Sequence, residues 1–276
     1  MLSKLPGRVT IQDGVVFGRG GERDLACDVF VPPDDRRDRP SVLLIHGGGW
    51  LQGDRSQLRG YGIQLARLGF LCVASEYRLS GEARWPAQIH DCKAALRWMH
   101  ANASALGIDP ARIAVSGNSA GAHLSLMLAA TPDVPVFEGK GGNADAATTV
   151  AACVAIYPPT RLRVERTDAG GAVAALLVEK ASRELEDSAS PITYAHRGFP
   201  PTLLIHGNAD DVVPVDASFD MYRALADAGA AVELHVYDGA PHAFDSAPDY
   251  GRQVTDIIGL FLDRKVVDPR PFEATA

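Results

Sequence analysis

The stretch Arg112-Ile113-Ala114-Val115-Ser116-Gly117-Asn118-Ser119-Ala120-Gly121-Ala122-His123-Leu124 decides how this chain is read. Residues 112–116 are a compact β-type run, and residues 122–130 continue as a helix of small and apolar side chains. Between them, Gly117-Asn118-Ser119-Ala120-Gly121 suits a sharp strand-to-helix turn that pushes the Ser119 hydroxyl into the open, where a base can reach it. A side chain at either glycine would collide with the neighbouring strand or helix.

Outward from this turn, strand-like and helix-like segments alternate. Val9–Phe17 and Asp24–Val31 read as an antiparallel start joined through Gly18–Gly21, and the buried-type runs Val42–Ile45, Phe70–Ser75, Val150–Ile156 and Thr202–Ile205 follow, with Val232–Tyr237 last. Helical spacing marks Arg55–Leu68, a long segment from Pro86 to about Leu106, Val215–Ala228 and Tyr250–Phe261, with Gly69, Gly107 and Gly229 as stops. Asp109-Pro110 reads as the turn into the strand before Ser119. Strands alternating with helices predict one α/β domain over residues 1–276, with a mostly parallel eight-stranded sheet and helices on both faces. Two irregular segments, about 132–149 and 160–198, interrupt the rhythm after strands. They are the expected small lid over the crevice at the strands' carboxyl ends.

The formal charge of −7 and the absence of a basic patch argue against nucleic-acid or anionic-membrane partners. No run of about 18 apolar residues occurs, so no membrane span is predicted. Cys27, Cys72, Cys92 and Cys153 show no metal-ligand or CxxC spacing, which predicts free thiols, no metal and a reducing, cytoplasmic setting. The glycines after Val16 do not complete a dinucleotide-binding loop, because Arg23 stands at its last position, and no cofactor is expected.

A serine hydroxyl is a weak nucleophile at neutral pH. It needs a base, a group to orient that base, and donors for the developing oxyanion. Each is on offer where a strand should end. His242, in the loop after Val232–Tyr237, is the candidate base. His123 lies one helical turn after Ser119 and points into helix packing, while His46 and His206 end apolar strands and are expected to order their loops. The loop after Thr202–Ile205 offers two carboxylates, Asp210 and Asp211, one to orient the histidine and the other to brace the turn. The glycines of His46-Gly47-Gly48-Gly49-Trp50 leave backbone N–H groups free, and Ala120 adds another at a helix N-terminus. Trp50, Tyr77, Trp85, Phe137, Tyr157 and Phe244 are candidates for the pocket wall. A small pocket under a small lid would favour a short acyl chain.

From about Asp24 to Leu262 the chain resembles the α/β-hydrolase carboxylesterases. It looks most like the hormone-sensitive-lipase-type esterases and the related acetyl-xylan/feruloyl-esterase-like group. The resemblance is carried by His46-Gly47-Gly48-Gly49-Trp50, Glu76-Tyr77-Arg78-Leu79, Trp85-Pro86-Ala87 with Asp91, Asp109-Pro110-Ala111-Arg112-Ile113, the Ser119 motif and Ser190-Pro191-Ile192. It implies an α/β-hydrolase fold. It also implies that the acid is the last residue of His206-Gly207-Asn208-Ala209-Asp210, that the oxyanion donors are Gly48 and Gly49 with Ala120, and that the order Ser119, Asp210, His242 is that of a catalytic triad. The implied activity is hydrolysis of small carboxylic esters, with the ester as the partner molecule and a second copy able to pair if Val232–Tyr237 is a sheet edge. Glu76 stands where the group usually has Asp, Ala122 where a second glycine is common, and the region before the glycine loop is short, which argues against a large cap. The absence of a signal peptide weakens a role on extracellular xylan. An aryl formamidase, amidase or lactonase would use the same residues. A non-catalytic binding protein of this fold would have lost one of the three, and an oxidoreductase or cofactor-free oxygenase would not need the glycine loop.

Overall fold

A computed structural model describes residues 4–132, 134–166 and 171–270. Residues 133 and 167–170, inside the two expected insertions, and residues 1–3 and 271–276 lie outside the described residues. The eight strands are β1 (Thr10–Gly20), β2 (Arg23–Val31), β3 (Arg39–Ile45), β4 (Leu71–Ser75), β5 (Ile108–Asn118), β6 (Ala152–Ile156), β7 (Thr202–Gly207) and β8 (Val232–Tyr237). They form one sheet in the order β1-β2-β4-β3-β5-β6-β7-β8. β1–β2 and β2–β4 pair antiparallel and the other pairs are parallel, so the expected mostly parallel sheet is present, with β8 at one edge.

The helices are α1 (Arg59–Arg67), α2 (Ala87–Ala101), α3 (Ala103–Leu106), α4 (Ala120–Ala130), α5 (Pro135–Glu138), α6 (Ala172–Leu176), α7 (Arg183–Ser188), α8 (Asp216–Asp227) and α9 (Pro248–Leu262). The strand period of two sorts the core into two layers. Leu43, Ile45, Val115, Ala155 and Leu204 face the layer built with α2, α4 and α8, whereas Val42, Leu44, Ala114, Val154 and Ile205 face the layer under α1 and α9. Both faces of the central strands are covered, which is why these strands are apolar throughout rather than alternating.

Two local expectations change. The long helix expected from Pro86 to Leu106 breaks at Asn102, whose Nδ2 donates to the Trp98 carbonyl at 2.9 Å, and a second short helix runs to the left-handed Gly107. Asp109-Pro110 lies within β5, beside a register irregularity against β3, and the Ala111 N–H donates to Asp109 Oδ1 at 2.9 Å.

Of the two segments expected over the crevice, 160–198 supplies Arg161, Leu162, Ala172 and Val173 to the cleft wall. The Trp85 N–H to the Leu176 carbonyl ties it to the rest of the fold, and Arg163 to Asp187 and the Ser182 cap of α7 brace it internally. The described residues of 132–149 do not reach the cleft; they pack on α2 and β1. A Cβ on Gly141 would lie 2.5 Å from the Ala94 Cβ, and one on Gly139 would lie 2.6 Å from the His90 Cβ. These glycines permit close packing on a helix, with Glu138 paired to Lys93 and Arg97.

Candidate active site

Ser119 joins β5 to α4 with φ 52° and ψ −119°, a left-handed conformation that costs a non-glycine residue about 1–3 kcal/mol and is characteristic of functional sites. The turn is forced by its glycines. A Cβ on Gly121 would sit 2.0 Å from the Ile45 carbonyl oxygen, and one on Gly117 would sit 2.4 Å from the Gly121 carbonyl group. The turn therefore closes directly against the end of β3, where the glycine loop begins.

His242 reaches this serine from the loop after β8. Its Nδ1–H donates to Asp210 Oδ2 at 2.7 Å, and its Nε2 accepts from Ser119 Oγ at 3.1 Å. The carboxylate partner fixes that tautomer, since an ionised carboxylate can only accept. Asp210 Oδ1 accepts from the Val212 and Val213 amides at 2.9 and 2.8 Å. Burial pushes the Asp210 carboxyl up, but hydrogen bonds from His206, His242 and Val213 outweigh it and hold the group well below the usual carboxylate range. Asp211, the alternative acid, is exposed and lies at the cleft rim.

The glycine loop lies against the turn. Gly48 (φ 106°) and Gly49 (φ 62°) have backbones that L side chains rarely adopt, and a Cβ on Gly48 would sit 2.1 Å from the Gln52 carbonyl oxygen. Among the described residues no group accepts from the Gly48 or Gly49 N–H, and the Ala120 N–H opens α4, where no carbonyl of the helix can reach it. At the near end of the loop, the His46 ring stacks on Tyr77 at 4.3 Å, and Tyr77 OH donates to the His46 carbonyl at 3.0 Å. At the far end, Arg55 binds Asp28 and Glu76 at 2.8 and 2.9 Å, while the other Glu76 oxygen accepts from Arg23 and the Ala26 N–H. Glu76, the departure from the usual Asp, thus ties the loop to the first hairpin.

Ser119, His242 and the glycine loop line a cleft of about 1520 Å³, larger than the small pocket expected and above the usual 300–1,000 Å³ of ligand sites. It is large because it continues past His242 along the groove between α1 and α9, which the segment 132–149 does not cover. Trp50 and Tyr157 line it. Tyr77, Trp85 and Phe244 do not, and neither does Phe137: Tyr77 is spent on the His46 stack, Trp85 packs on His123 and Phe137, and Phe244 packs between Tyr157, Tyr237 and Tyr250. His123 is fully buried, donates from Nε2 to the Ala189 carbonyl at 2.7 Å, and is pushed down to about 4 by that burial. It therefore stays neutral and away from the serine. Sequence reasoning missed Asn118, Tyr61 and Asp245, which also line the cleft. Asp245 follows His242 by three residues, a cue the sequence held, but Tyr61 is brought to it from 184 residues away.

Among the described residues no group of three or more His, Cys, Asp or Glu side chains could hold a metal ion, and no helix is long and apolar enough to cross a membrane. The arrangement is one suited to activating a hydroxyl nucleophile beside unpartnered N–H donors.

Known proteins share this architecture. A truncated carbohydrate esterase from gut microbiota superposes with a TM-score of 0.83 at 26% identity, covering 94% of this chain and 99% of that one. The thermophilic esterase Est2 of Thermogutta terrifontis, solved with propionate bound, superposes with a TM-score of 0.80 at 27% identity over 95% of this chain and 97% of that one, and the same esterase is known phosphonylated by sarin. Both share the α/β-hydrolase fold of this chain. Esterase LipQ of Mycobacterium tuberculosis is 32% identical over 267 residues, covering 91% of this chain and 63% of LipQ. The chain spans about half to two-thirds of the length of the curated mycobacterial relatives it matches. The sequence model of the BD-FAE family matches residues 27–225, well over half of the chain, and the protein belongs to that family.

Proposed function

We propose that this protein is a serine carboxylesterase that hydrolyses small esters with short acyl groups through an acyl-enzyme. The observation that carries the reading is the hydrogen-bonded line from Ser119 Oγ through His242 to Asp210, set beside the unpartnered amides of the glycine loop. His242 takes the Ser119 proton as the oxygen attacks the ester carbonyl. The Gly48, Gly49 and Ala120 amides receive the oxyanion, each donor lowering the barrier by roughly 3 kcal/mol. Asp210 stabilises the imidazolium, which then protonates the leaving alcohol. Water attacks the acyl-enzyme by the same route and restores Ser119.

A short acyl group is supported by the propionate bound to the Thermogutta esterase, while the large cleft leaves room for a bulkier alcohol. In this reading the domain is single and 160–198 acts as its lid. The four buried free cysteines fit a cytoplasmic setting, and the free edge of β8 is where a second copy would pair.

A fluorophosphonate should label Ser119, and Ser119→Ala should abolish both labelling and turnover of p-nitrophenyl acetate. Labelling elsewhere, or undiminished hydrolysis, would overturn the assignment. Formanilides, amides or lactones turned over far faster than the acetate ester would move the activity to those substrates.

A further inference from the structure

Beside Ser119 and His242 runs a chain of hydrogen bonds that no step above uses. Tyr61 OH donates to Asp245 Oδ2 at 2.6 Å, and Tyr157 OH donates to Asp245 Oδ1. Asn118 Nδ2 donates in turn to Tyr157 OH at 3.3 Å. Asp245 is buried, and each of its two carboxyl oxygens accepts from one phenol. Burial first, and then the charge of Asp245, push both tyrosines well above the usual phenol range, so both remain donors.

The chain touches the reacting pair at two places. The Tyr157 ring packs on the His242 imidazole, 4.6 Å between centroids at 57°. Asn118 immediately precedes Ser119 in the strained turn. Tyr157 itself has φ 42°, and Ala243, next to His242, has φ 57°. Left-handed backbone at a bulky residue is rare and persists where surrounding contacts over-determine it. The Tyr157 N–H is fixed to the Ile205 carbonyl at 2.7 Å, and its hydroxyl is fixed by Asp245. Asp210 and Ser119 hold the two ring nitrogens, but two hydrogen bonds along one line through the imidazole leave the ring free to rock about that line. A tethered ring packed against it removes that freedom.

We propose that Asp245 is a positioning residue for the acyl transfer. It sets the plane of His242 through Tyr157, and through the same hydroxyl it steadies Asn118 and the turn that carries Ser119. Asp245 touches none of the reacting atoms. The inference rests on the roles given above to Ser119 and His242.

Tyr61 is the comparison: it also lines the cleft and shares the carboxylate, but no ring contact among the described residues links it to His242, so its loss should disturb the imidazole less. With p-nitrophenyl acetate, Asp245→Asn and Tyr157→Phe should each lower kcat about 10- to 100-fold with KM changed less than about twofold, the signature of misplaced catalytic groups. Labelling of Ser119 by a fluorophosphonate should slow in step. Tyr61→Phe should lower kcat less than about threefold while costing similar thermal stability. Equal kcat losses in all three variants, or a raised KM with kcat intact, would overturn the proposal. If Asp245→Asn does not fold, Tyr157→Phe decides the matter by the same two readouts. Ser119→Ala separates the two claims: activity surviving in it removes the esterase reading, whereas activity lost in it but retained in full by Tyr157→Phe removes only the role of Asp245.

Discussion

His206 Nε2 lies 3.3 Å from Asp210 Oδ2, the same oxygen that accepts from His242. The His206 ring is fully buried between two further partners, the Val213 carbonyl at 2.8 Å and Ser218 Oγ at 2.7 Å. With the Val212 and Val213 amides on the other oxygen and His242 on this one, the carboxylate has three donors of its own and a share of the His206 Nε2–H, whose closer acceptor is the Val213 carbonyl. His206, the penultimate residue of β7, thus packs against the carboxylate that faces the catalytic histidine candidate.

This geometry separates the two neighbouring acids. Asp210→Asn keeps the shape but cannot hold His242 in the tautomer that accepts from Ser119, so kcat/KM for p-nitrophenyl acetate should fall by about 10⁴. Asp211→Asn, at an exposed rim position, should stay within about twofold of wild type. Steady-state kinetics on the two variants decide the assignment; comparable losses in both would undo it.

Replacing His206 tests the outer layer. His206→Ala leaves the Val213 carbonyl and Ser218 hydroxyl buried without their partner, which should cost about 1–3 kcal/mol of unfolding free energy. It also frees Asp210 to rotate, so kcat should fall about tenfold with KM little changed. Chemical denaturation and kinetics measured on the same preparation should show both effects; loss of stability with full kcat would leave His206 a purely structural residue.

Much of this was legible in the residues before any coordinates. Val42–Ile45, Phe70–Ser75 and Thr202–Ile205 announce buried strands because both faces of the sheet are covered; Ser119 and Asp210 each follow such a strand, and His242 follows the half-buried edge strand β8. The segment 132–149 was not legible, because its glycines signal close approach without naming the partner. Gly139 and Gly141 approach His90 and Ala94, and a Cβ on Gly18 would meet the Gly141 carbonyl at 2.3 Å. The aromatic wall was half legible for a related reason. Trp50 and Trp85 carry the same apolar signal, but only the depth of each below the cleft surface separates lining from packing, and depth is set by tertiary contacts. Asp245 stayed hidden because its partners, Tyr61 and Tyr157, come from distant elements.

Acid should destabilise the protein in two windows. His123 has its pKa lowered from 6.5 to about 4, so the folded state resists the proton that the unfolded chain accepts. Its contribution is complete above about pH 6.5 and is lost as pH falls from there to about 4, a loss of roughly 3 kcal/mol. Asp210, with its pKa depressed, contributes fully above about pH 4 and loses that contribution only at more acid pH. Urea titrations at pH 7, 5.5 and 4 should show a fall that His123→Gln flattens in the upper window. An unchanged slope in that variant would assign the fall to other groups.

Two glycines give opposite expectations for the same substitution. Gly121→Ala would place a methyl 2.0 Å from the Ile45 carbonyl oxygen and 2.6 Å from that of His46, both backbone atoms at the root of the glycine loop. Neither can yield without displacing Gly47–Gly49, so the variant should lose about 3 kcal/mol or more and should lose hydrolysis beyond what its folded fraction explains. Gly60, in α1, meets nothing within 4 Å where its Cβ would stand and has an ordinary helical backbone. Gly60→Ala should therefore raise stability by about 0.5–1 kcal/mol, through the reduced freedom of the unfolded chain. Thermal melts of the pair measure both signs at once. A stable, active Gly121→Ala would mean that β3 and the turn at Ser119 are not in the close contact on which the site depends.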